Sequence, residues 1–445
     1  MPVSVIGDTA VNVALKIFHR RECSMKFHFT PPKGWTNDPN GLIRIGDEYH
    51  IFYQHYPDGI VWGPMHWGHA VSKDLLTFEH KEIAITPDEL GYAFSGSSVL
   101  DVRNVSGLGT SEKPALLCFY TSHNPKTGEQ QQSVAYSLDY RTFQKYSGNP
   151  VIQNTKEDPA YKVDYRDPKV FENPVKGGYT MVLAAGKKLE FQHSTDLLHW
   201  NKTGEYAPGV HGFDGICECP DCFPLSLPDG TVKWILLLST ILEEKDVGKK
   251  AAEGGFPYAH VMQYFVGTFD GDTFREEEGN PPLVLDFGPD NYAMVSFAGC
   301  TETILYGWGE HWDYVTDVPA ETYRGKMTVP RLTRLADTKN GLRMAMLPPE
   351  NVPQRKVTVQ QGESVAVVNS KGNEVILSVE ADVIVVDRSR TTGGIDSRFL
   401  QKEAYNVFRA ERYTEGAVEF VLVQDEDYLE IFAEEGLLVF SLMTY

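Results

Sequence analysis

Three carboxylates of the sequence lie inside short motifs rich in turn-forming residues. Asp38 lies in WTNDPNG at 35–41, Asp167 in YRDPK at 165–169 and Glu218 in ECPD at 218–221. Each motif alone is typical of a tight turn. Brought together, the three acids would supply one protonated carboxyl to help a leaving oxygen depart and one ionised carboxylate to attack or to activate water. That chemistry cleaves glycosidic bonds, and the third acid could bind sugar hydroxyls.

The neighbours of these acids are of the kinds that bind sugars. Aromatic rings can lie against sugar faces, and amides and guanidinium groups bond to hydroxyls. The aromatic candidates are Trp35, Trp62, Trp67, Phe94 and Trp308, and the polar candidates are Asn37, Gln54 and Arg166. These residues predict a carbohydrate pocket around the acids.

A weak repeat indicates the fold that must position these residues. Short runs rich in β-branched and aromatic residues, separated by turn-forming clusters, predict strands. A Ser or Thr, an Asp two residues later and an aromatic residue six after the start recur from Ser72, Ser137, Ser194 and Thr268. The repeat predicts a turn whose Asp bonds backbone amides and whose aromatic ring seals the seam between neighbouring units. With a degenerate last unit at 303–329, the spacing predicts a five-bladed β-propeller.

Beyond about residue 348 the apolar and polar residues alternate, which is typical of antiparallel strands with one buried face. The predicted fold class is therefore all-β, a five-bladed β-propeller followed by a small C-terminal β-sandwich. The predicted domains are an N-terminal extension at 1–24, the catalytic propeller at 25–347 and the sandwich at 348–445.

Charge and composition limit the partners. The 445-residue chain has a formal net charge of −20, which repels phosphate backbones and anionic lipid surfaces. We therefore expect no nucleic acid and no membrane as partners, and a neutral small-molecule carbohydrate as the substrate. The first residues lack the basic start of a secretory signal, and no apolar run approaches the ~20 residues that span a bilayer. A cytoplasmic location is expected, and a homo-oligomer stays open.

Three of the six cysteines, Cys217, Cys219 and Cys222, lie close together. Thiolates are good zinc ligands. However, no second Cys pair and no His-x3–5-His partner completes a tetrahedral site. We expect reduced thiols, no metal and no organic cofactor.

In their order along the chain, the motifs resemble those of glycoside hydrolase family 32, the invertases, inulinases and levanases. The resemblance rests on WTNDPNGL at 35–42, FYQ at 52–54, WGHA at 67–70, FSGS at 94–97, RDP at 166–168 and ECPD at 218–221. Later similar stretches are DFGPDNYA at 286–293, YGW at 306–308, VDRS at 386–389 and EIF at 430–432. The family implies a five-bladed propeller followed by a β-sandwich.

The resemblance also implies roles for individual residues. Asp38 resembles the nucleophile, Glu218 the general acid and base, and Asp167 the residue that bonds fructose hydroxyls in the transition state. Around them, the positions that match the fructose subsite are Asn37, Gln54, Trp62, Phe94, Ser95 and Trp308, with Arg166 beside Asp167 and Trp35 in the nucleophile motif. One departure is Thr36, where the family motif has Met.

The expected function is a retaining β-fructofuranosidase that acts on sucrose and short fructo-oligosaccharides through a covalent fructosyl-enzyme. Retention would place the carboxyl groups of Asp38 and Glu218 ~5–5.5 Å apart. A fructosyltransferase, or a fructan exo-hydrolase acting on inulin or levan, would use the same site. Two alternatives from other classes are a non-catalytic carbohydrate-binding propeller and a sialidase-like propeller. The first would lack part of the acidic triad, and the second would need an arginine cluster and a tyrosine nucleophile.

Overall fold

The computed structural model describes residues 16–18, 26–155, 162–208, 215–244, 247, 250–251, 254–255, 258–277 and 282–445. In these ranges the fold is nearly all-β, as predicted, with 33 strands. Short helical elements include an α-helical turn at Ser389–Thr392 and 3-10 turns at Glu403–Tyr405 and Glu434–Gly436. None of the described helices has the length and apolarity needed to cross a bilayer. Apart from the strand at 16–18, the predicted extension at 1–24 lies outside the described residues.

The described part of 26–347 forms five consecutive, mainly antiparallel sheets of four or five strands and one separate two-stranded hairpin. Strand β1 (Lys16–Phe18) belongs to the C-terminal part. The first sheet contains β2 (Gly34–Ile45), β3 (Glu48–Tyr56), β4 (His66–Ser72) and β5 (Glu79–His80). The second contains β6 (Tyr92–Asp101), β7 (Ala115–His123), β8 (Gln130–Ser137) and β9 (Gln144–Lys145). The third contains β10 (Tyr165–Glu172), β11 (Tyr179–Ala185), β12 (Lys188–Ser194) and β13 (Asn201–Tyr206).

The last two of these sheets are less regular. In the fourth, β14 (Gly215–Ser226) and β15 (Val232–Leu242) are followed by a separate hairpin of β16 (Lys250–Ala251) and β17 (Gly254–Gly255), and then by β18 (His260–Phe269), β19 (Phe274–Glu276) and β20 (Leu283–Val284). The fifth contains β21 (Tyr292–Ser296), β22 (Ile304–Trp308), β24 (Arg331–Thr338) and β25 (Gly341–Leu347). Between them, β23 (Tyr323–Arg324) pairs in parallel with β2 of the first sheet.

The first strands of the five sheets lie side by side in a ring. β2 contacts β6, β6 contacts β10, β10 contacts β14, β14 contacts β21, and β21 contacts β2 again. This radial arrangement lets the last sheet close against the first. Side chains from distant parts of the sequence can therefore point to one common axis.

The sequence repeat is confirmed as the turn that joins the outer strands of the first four sheets. In every copy the Asp carboxylate accepts hydrogen bonds from the backbone N–H groups two and three residues further on, at 2.7–3.0 Å. The residue three after the start has a positive φ in all four copies, namely Leu75, Tyr140, Leu197 and Gly271. The repeated motif is therefore a repeated backbone conformation.

The aromatic residue of the repeat packs against the preceding unit. Phe143 of the second sheet lies 5.3 Å, between ring centroids, from Phe52 of the first. Trp200 of the third lies 5.8 Å from Phe119 of the second, and Phe274 of the fourth lies 5.4 Å from Tyr206 of the third. The predicted role of this ring in sealing the seam between units is confirmed for these three copies, whereas Phe78 of the first copy packs against Phe29, with ring centroids 5.0 Å apart.

The C-terminal part consists of two facing sheets. One contains β26 (Arg355–Val359), β31 (Val418–Asp425), β32 (Tyr428–Ala433) and β33 (Leu438–Met443), and the other contains β1, β27 (Ser364–Val368), β28 (Glu374–Val379), β29 (Val383–Asp387) and β30 (Val407–Glu411). One buried apolar cluster draws side chains from both sheets, which is the packing of a β-sandwich. The fifth sheet ends at Leu347 and β26 begins at Arg355, on either side of the predicted boundary.

Buried ion pairs join the C-terminal sheets to the rest. Arg331 lies 2.9 Å from Asp286 and 2.7 Å from Glu430, and Arg388 lies 2.5 Å from Asp290, with all five side chains at most 1% exposed. Three later motifs of the sequence, at 286–293, 386–389 and 430–432, supply four of these residues. Those motifs therefore hold the two parts of the protein together.

Candidate active site

A cavity of about 410 Å³ contains all three predicted catalytic acids. Each first strand of the five sheets contributes at least one residue to its wall, among them Asp38 from β2, Ser95 from β6, Asp167 from β10, Glu218 from β14 and Tyr292 from β21. The ring of first strands thus converges on one cavity.

Irregular strand pairing aims these side chains into the cavity. In all five first strands the register to the next strand shifts at the site, between residues 36 and 39, 93 and 96, 166 and 169, 218 and 221, and 292 and 295. A bulge of this kind redirects a side chain and ends regular pairing. Pro39, Pro168 and Pro220 follow the acids and have no N–H to donate to a ladder. The prolines of the three motifs therefore fit the bulges that display the acids.

Asp38 is held by two short side-chain hydrogen bonds and by a longer one from the Cys219 thiol at 3.5 Å. Ser95 Oγ donates to its Oδ2 at 2.6 Å, and Asn37 Nδ2 donates to its Oδ1 at 2.9 Å. Trp35 Nε1 donates to Asn37 Oδ1 at 2.7 Å, which fixes the orientation of the Asn37 amide. Burial raises the pKa of Asp38 above its ordinary value; the two hydrogen bonds oppose this change, and the negative charge of Glu218 adds to it. The carboxylate is therefore oriented and incompletely solvated, as a nucleophile requires.

Asp167 is the most buried acid of the three, at 5% exposure. Its Oδ2 accepts a hydrogen bond from the backbone N–H of Cys219 at 2.9 Å. Its own backbone has φ +63° and its N–H donates to Thr121 Oγ1 at 3.0 Å. Burial raises the pKa of Asp167 to about 7, with Arg166 opposing the rise and the charges of Asp38 and Glu218 adding to it. Asp167 is therefore held in one position, and its carboxylate is poorly solvated.

Glu218 accepts a hydrogen bond on each of its oxygens. Arg166 Nη2 donates to Oε1 at 3.0 Å, and Tyr292 OH donates to Oε2 at 2.6 Å. Arg166 is held in turn by Asp164 at 2.6 Å. The two donors restrict the Glu218 carboxyl group to one orientation.

Most of the predicted sugar-binding residues line this cavity, and three do not. Those in the wall are Asn37, Gln54, Trp62, Phe94, Ser95 and Arg166. Trp67 is fully buried outside the wall, where its Nε1 donates to the backbone oxygen of Phe94 at 2.9 Å. Trp35 and Trp308 are also fully buried and lie outside the wall. Both pack against Trp312, with ring centroids 5.7 Å and 4.8 Å from it, and Trp312 reaches the cavity instead. The two tryptophans therefore support the site from beneath, because a third ring covers them.

Three residues of the cavity were not among the predicted site residues: His123, Tyr292 and Trp312. Tyr292 lies in the stretch DFGPDNYA and Trp312 lies four residues after YGW, so both stand in or beside motifs that carry the resemblance. His123 follows the strand ALLCFYTS without any motif of its own. The sequence contains a signal for the first two and none for the third.

The structure also places Thr36 and the clustered cysteines. Thr36 is fully buried, and its Oγ1 donates to the backbone oxygen of Gln54 at 3.0 Å, tying β2 to β3 beside the first bulge. Cys217 and Cys222 lie in one apolar cluster, whereas Cys219 Sγ lies 3.5 Å from Asp38 Oδ2 and 3.6 Å from Asp167 Oδ2. No group of three or more His, Cys, Asp or Glu in the described ranges is placed to hold a metal ion.

The cavity holds the oriented carboxylate of Asp38 together with the carboxyl group of Glu218, and it is large enough for a sugar unit. This arrangement fits the two-carboxylate chemistry of glycoside hydrolysis. Residues 28–345 match the family described as Glycosyl hydrolases family 32 N-terminal domain. The chain therefore belongs to glycosyl hydrolase family 32, and the resemblance of its motifs is confirmed.

Individual relatives agree with this assignment. The chain is 43% identical over 334 residues to a levanase of Bacillus subtilis, covering 73% of this chain and 46% of the levanase. It is 36% identical over 329 residues to an invertase of Schizosaccharomyces pombe, covering 70% of this chain and 53% of the invertase. The crystal structure of an exo-inulinase from Aspergillus awamori is similar with a TM-score of 0.80 at 27% identity, covering 94% of this chain and 92% of that one. The chain spans about half the length of the curated relatives that it matches.

Proposed function

We propose that this protein is a retaining β-fructofuranosidase that hydrolyses terminal β-D-fructofuranosyl residues of sucrose and short fructo-oligosaccharides. The observation that carries the proposal is the convergence of Asp38, Asp167 and Glu218 from three sheets on one cavity. Membership of glycosyl hydrolase family 32 supports it.

In the first step, Asp38 attacks the anomeric carbon of the fructosyl unit. The bond from this carbon to the glycosidic oxygen breaks, and Glu218 gives its proton to that oxygen, so that the leaving sugar departs as a neutral alcohol. Ser95 and Asn37 hold the Asp38 carboxylate for attack. The product is a fructosyl ester of Asp38.

In the second step, Glu218 takes a proton from water as the water oxygen attacks the same anomeric carbon. The ester bond to Asp38 breaks, free fructose leaves, and two displacements retain the configuration. Asp167 accepts hydrogen bonds from fructose hydroxyls, and its negative charge stabilises the oxocarbenium-like transition state of each step.

Fructan exo-hydrolysis at the same site is the second candidate. Relatives named levanase and exo-inulinase favour it. Fructosyl transfer is the third, because a sugar hydroxyl can intercept the ester of Asp38 in place of water. The three candidates share every step up to that ester.

The detailed architecture belongs to the same proposal. The closed ring of contacts among β2, β6, β10, β14 and β21 supports five propeller blades, with catalysis in the propeller at 25–347 and the sandwich at 348–445. The cytoplasmic location and the oligomeric state stay predictions from the sequence.

The test uses the parent and two variants, Asp38→Asn and Glu218→Gln. The parent should release fructose from sucrose and 1-kestose, and inulin and levan measure the exo-hydrolase alternative. Both variants should lose activity by several orders of magnitude, whereas Asp229→Asn, at an exposed acid, should behave like the parent. No fructose from any of the four substrates would overturn the function, and full activity in Asp38→Asn or Glu218→Gln would overturn the roles.

A further inference from the structure

His123 lies in the cavity wall and has no part in the two steps above. It ends β7, and its ring stacks on Phe94 with centroids 4.3 Å apart and planes at 8°. Phe94 meets Trp62 edge-on at 5.9 Å, and Trp62 is 44% exposed. These three side chains form a continuous aromatic wall that runs from inside the cavity to its exposed rim.

A buried amide fixes the tautomer of His123. Gln130 Oε1 accepts hydrogen bonds from the backbone N–H of Tyr165 at 2.9 Å and from Arg166 Nη1 at 3.3 Å. Because both partners are donors, the NH2 group of the amide faces His123 Nδ1, 3.4 Å away. His123 Nδ1 is then an acceptor, and the proton of the neutral ring lies on Nε2.

The imidazole is neutral and its N–H is free. Burial lowers the pKa of His123 below its ordinary value, and the positive charge of Arg166 lowers it further. Among the residues that the structure describes, no side chain or backbone group forms a hydrogen bond with His123 Nε2. This atom is also not sealed from solvent. His123 therefore presents one unused donor to the cavity.

The location of this donor indicates which part of a substrate it meets. Gln130 connects His123 to Arg166, and Arg166 holds Glu218 Oε1 at 3.0 Å. Glu218 faces the glycosidic oxygen in the proposed reaction, so this chain of hydrogen bonds connects His123 to the acid that protonates the leaving sugar. Asp38 is instead held by Ser95 and Asn37.

We propose that His123 is a specificity-determining residue whose Nε2–H donates a hydrogen bond to an oxygen of the leaving sugar. Phe94 and Gln130 hold the ring in place for this contact. The inference rests on the proposed function, because it concerns the sugar that β-fructofuranosidase chemistry would release. A substrate whose leaving group carries no hydroxyl should not use this donor.

The test compares two kinds of leaving group in His123→Phe, which keeps an aromatic ring on Phe94 and removes the donor. For sucrose and 1-kestose, kcat/KM should fall about fivefold, the usual effect of one neutral hydrogen bond. For p-nitrophenyl β-D-fructofuranoside it should stay within about twofold. His123→Gln, which restores an N–H donor, should recover part of the loss, and His199→Phe, at an exposed histidine, should change neither value.

The outcomes separate the inference from the function on which it rests. An equal fall for sucrose and the aryl fructoside would overturn the inference, because a general disturbance of the site affects both substrates. No change for either would also overturn it. A parent that hydrolyses neither substrate would overturn the proposed function and the inference with it.

Discussion

Replacing Asp167 with Asn should stabilise the fold while it destroys the activity. Asp167 is 5% exposed, and burial raises its pKa to about 7 from the ordinary value of 3.8. Arg166 Nε lies 3.9 Å away and does not offset the burial. Asn keeps an oxygen for the Cys219 N–H and carries no charge. The variant therefore removes an unfavourable buried charge and retains the hydrogen bond.

The raised pKa sets the pH window of the effect. The folded state binds the Asp167 proton more tightly than the unfolded state does. This contribution to stability is full below pH 3.8 and is lost as the pH rises through 7. A rise of the Asp167 pKa from 3.8 to about 7, at about 1.36 kcal/mol for each tenfold change in proton affinity, gives an upper value of about 4 kcal/mol. For 445 residues at about 2.1 cal/mol/K each, that free energy equals about 4 °C in Tm.

The assay is thermal unfolding of parent and Asp167→Asn at pH 4.5, 6 and 8. The Tm of the variant minus that of the parent should increase with pH and level off above pH 7. Asp221→Asn is the matched control, because Asp221 is fully buried but pairs with Lys169 Nζ at 2.9 Å. That variant leaves the buried ammonium of Lys169 with its bonds to Ser296 but without an opposite charge, and it should be less stable than the parent. A Tm difference for Asp167→Asn that stays constant or falls between pH 4.5 and 8 would refute the reasoning.

Three further predictions concern the interface and the support of the site. Arg331→Met should lower the free energy of unfolding by about 3–5 kcal/mol in urea titrations, because it leaves the buried Asp286 unpaired; a loss below about 1 kcal/mol would contradict this. His28→Gln should cost up to about 3 kcal/mol at pH 6 and little at pH 10. Burial lowers the pKa of His28, but the neighbouring carboxylates of Asp425 and Glu430 outweigh this effect and raise the pKa to about 9. The contribution of His28 to stability is therefore present below pH 6.5 and lost as the pH rises through 9. An equal cost at both pH values would contradict this. Trp35→Phe should lower kcat/KM for sucrose about fivefold, because it removes the hydrogen bond from Trp35 Nε1 to Asn37. An unchanged kcat/KM would contradict the role of Trp35 in orienting Asn37.

The local features of the fold could be predicted from the sequence because their causes are local. The Ser-x-Asp turn follows from one carboxylate that bonds two nearby amides, as at Asp74. The acids could be singled out because each stands before a proline or one residue away from one. The bulges at Asp38, Asp167 and Glu218 fit those prolines.

Other features depend on contacts that no single segment contains. Trp35 and Trp308 have the residue type of a sugar-binding ring, but Trp312 covers them, and only the folded chain determines which ring is on top. His123 enters the cavity because β7 pairs with β6 of the same sheet. Thr36 was unexplained in the sequence because its partner, the backbone oxygen of Gln54, is 18 residues away.

The measurement that most directly tests the central claim is capture of the fructosyl ester on Asp38. Glu218→Gln is mixed with β-D-fructofuranosyl fluoride, whose leaving group needs little protonation, and is then quenched and digested. Without the base for the second step the ester should accumulate, and mass spectrometry should find one added fructosyl unit on the peptide that contains Asp38. A fructosyl unit on any other residue, or fluoride release without an adduct and with inverted fructose, would contradict the account.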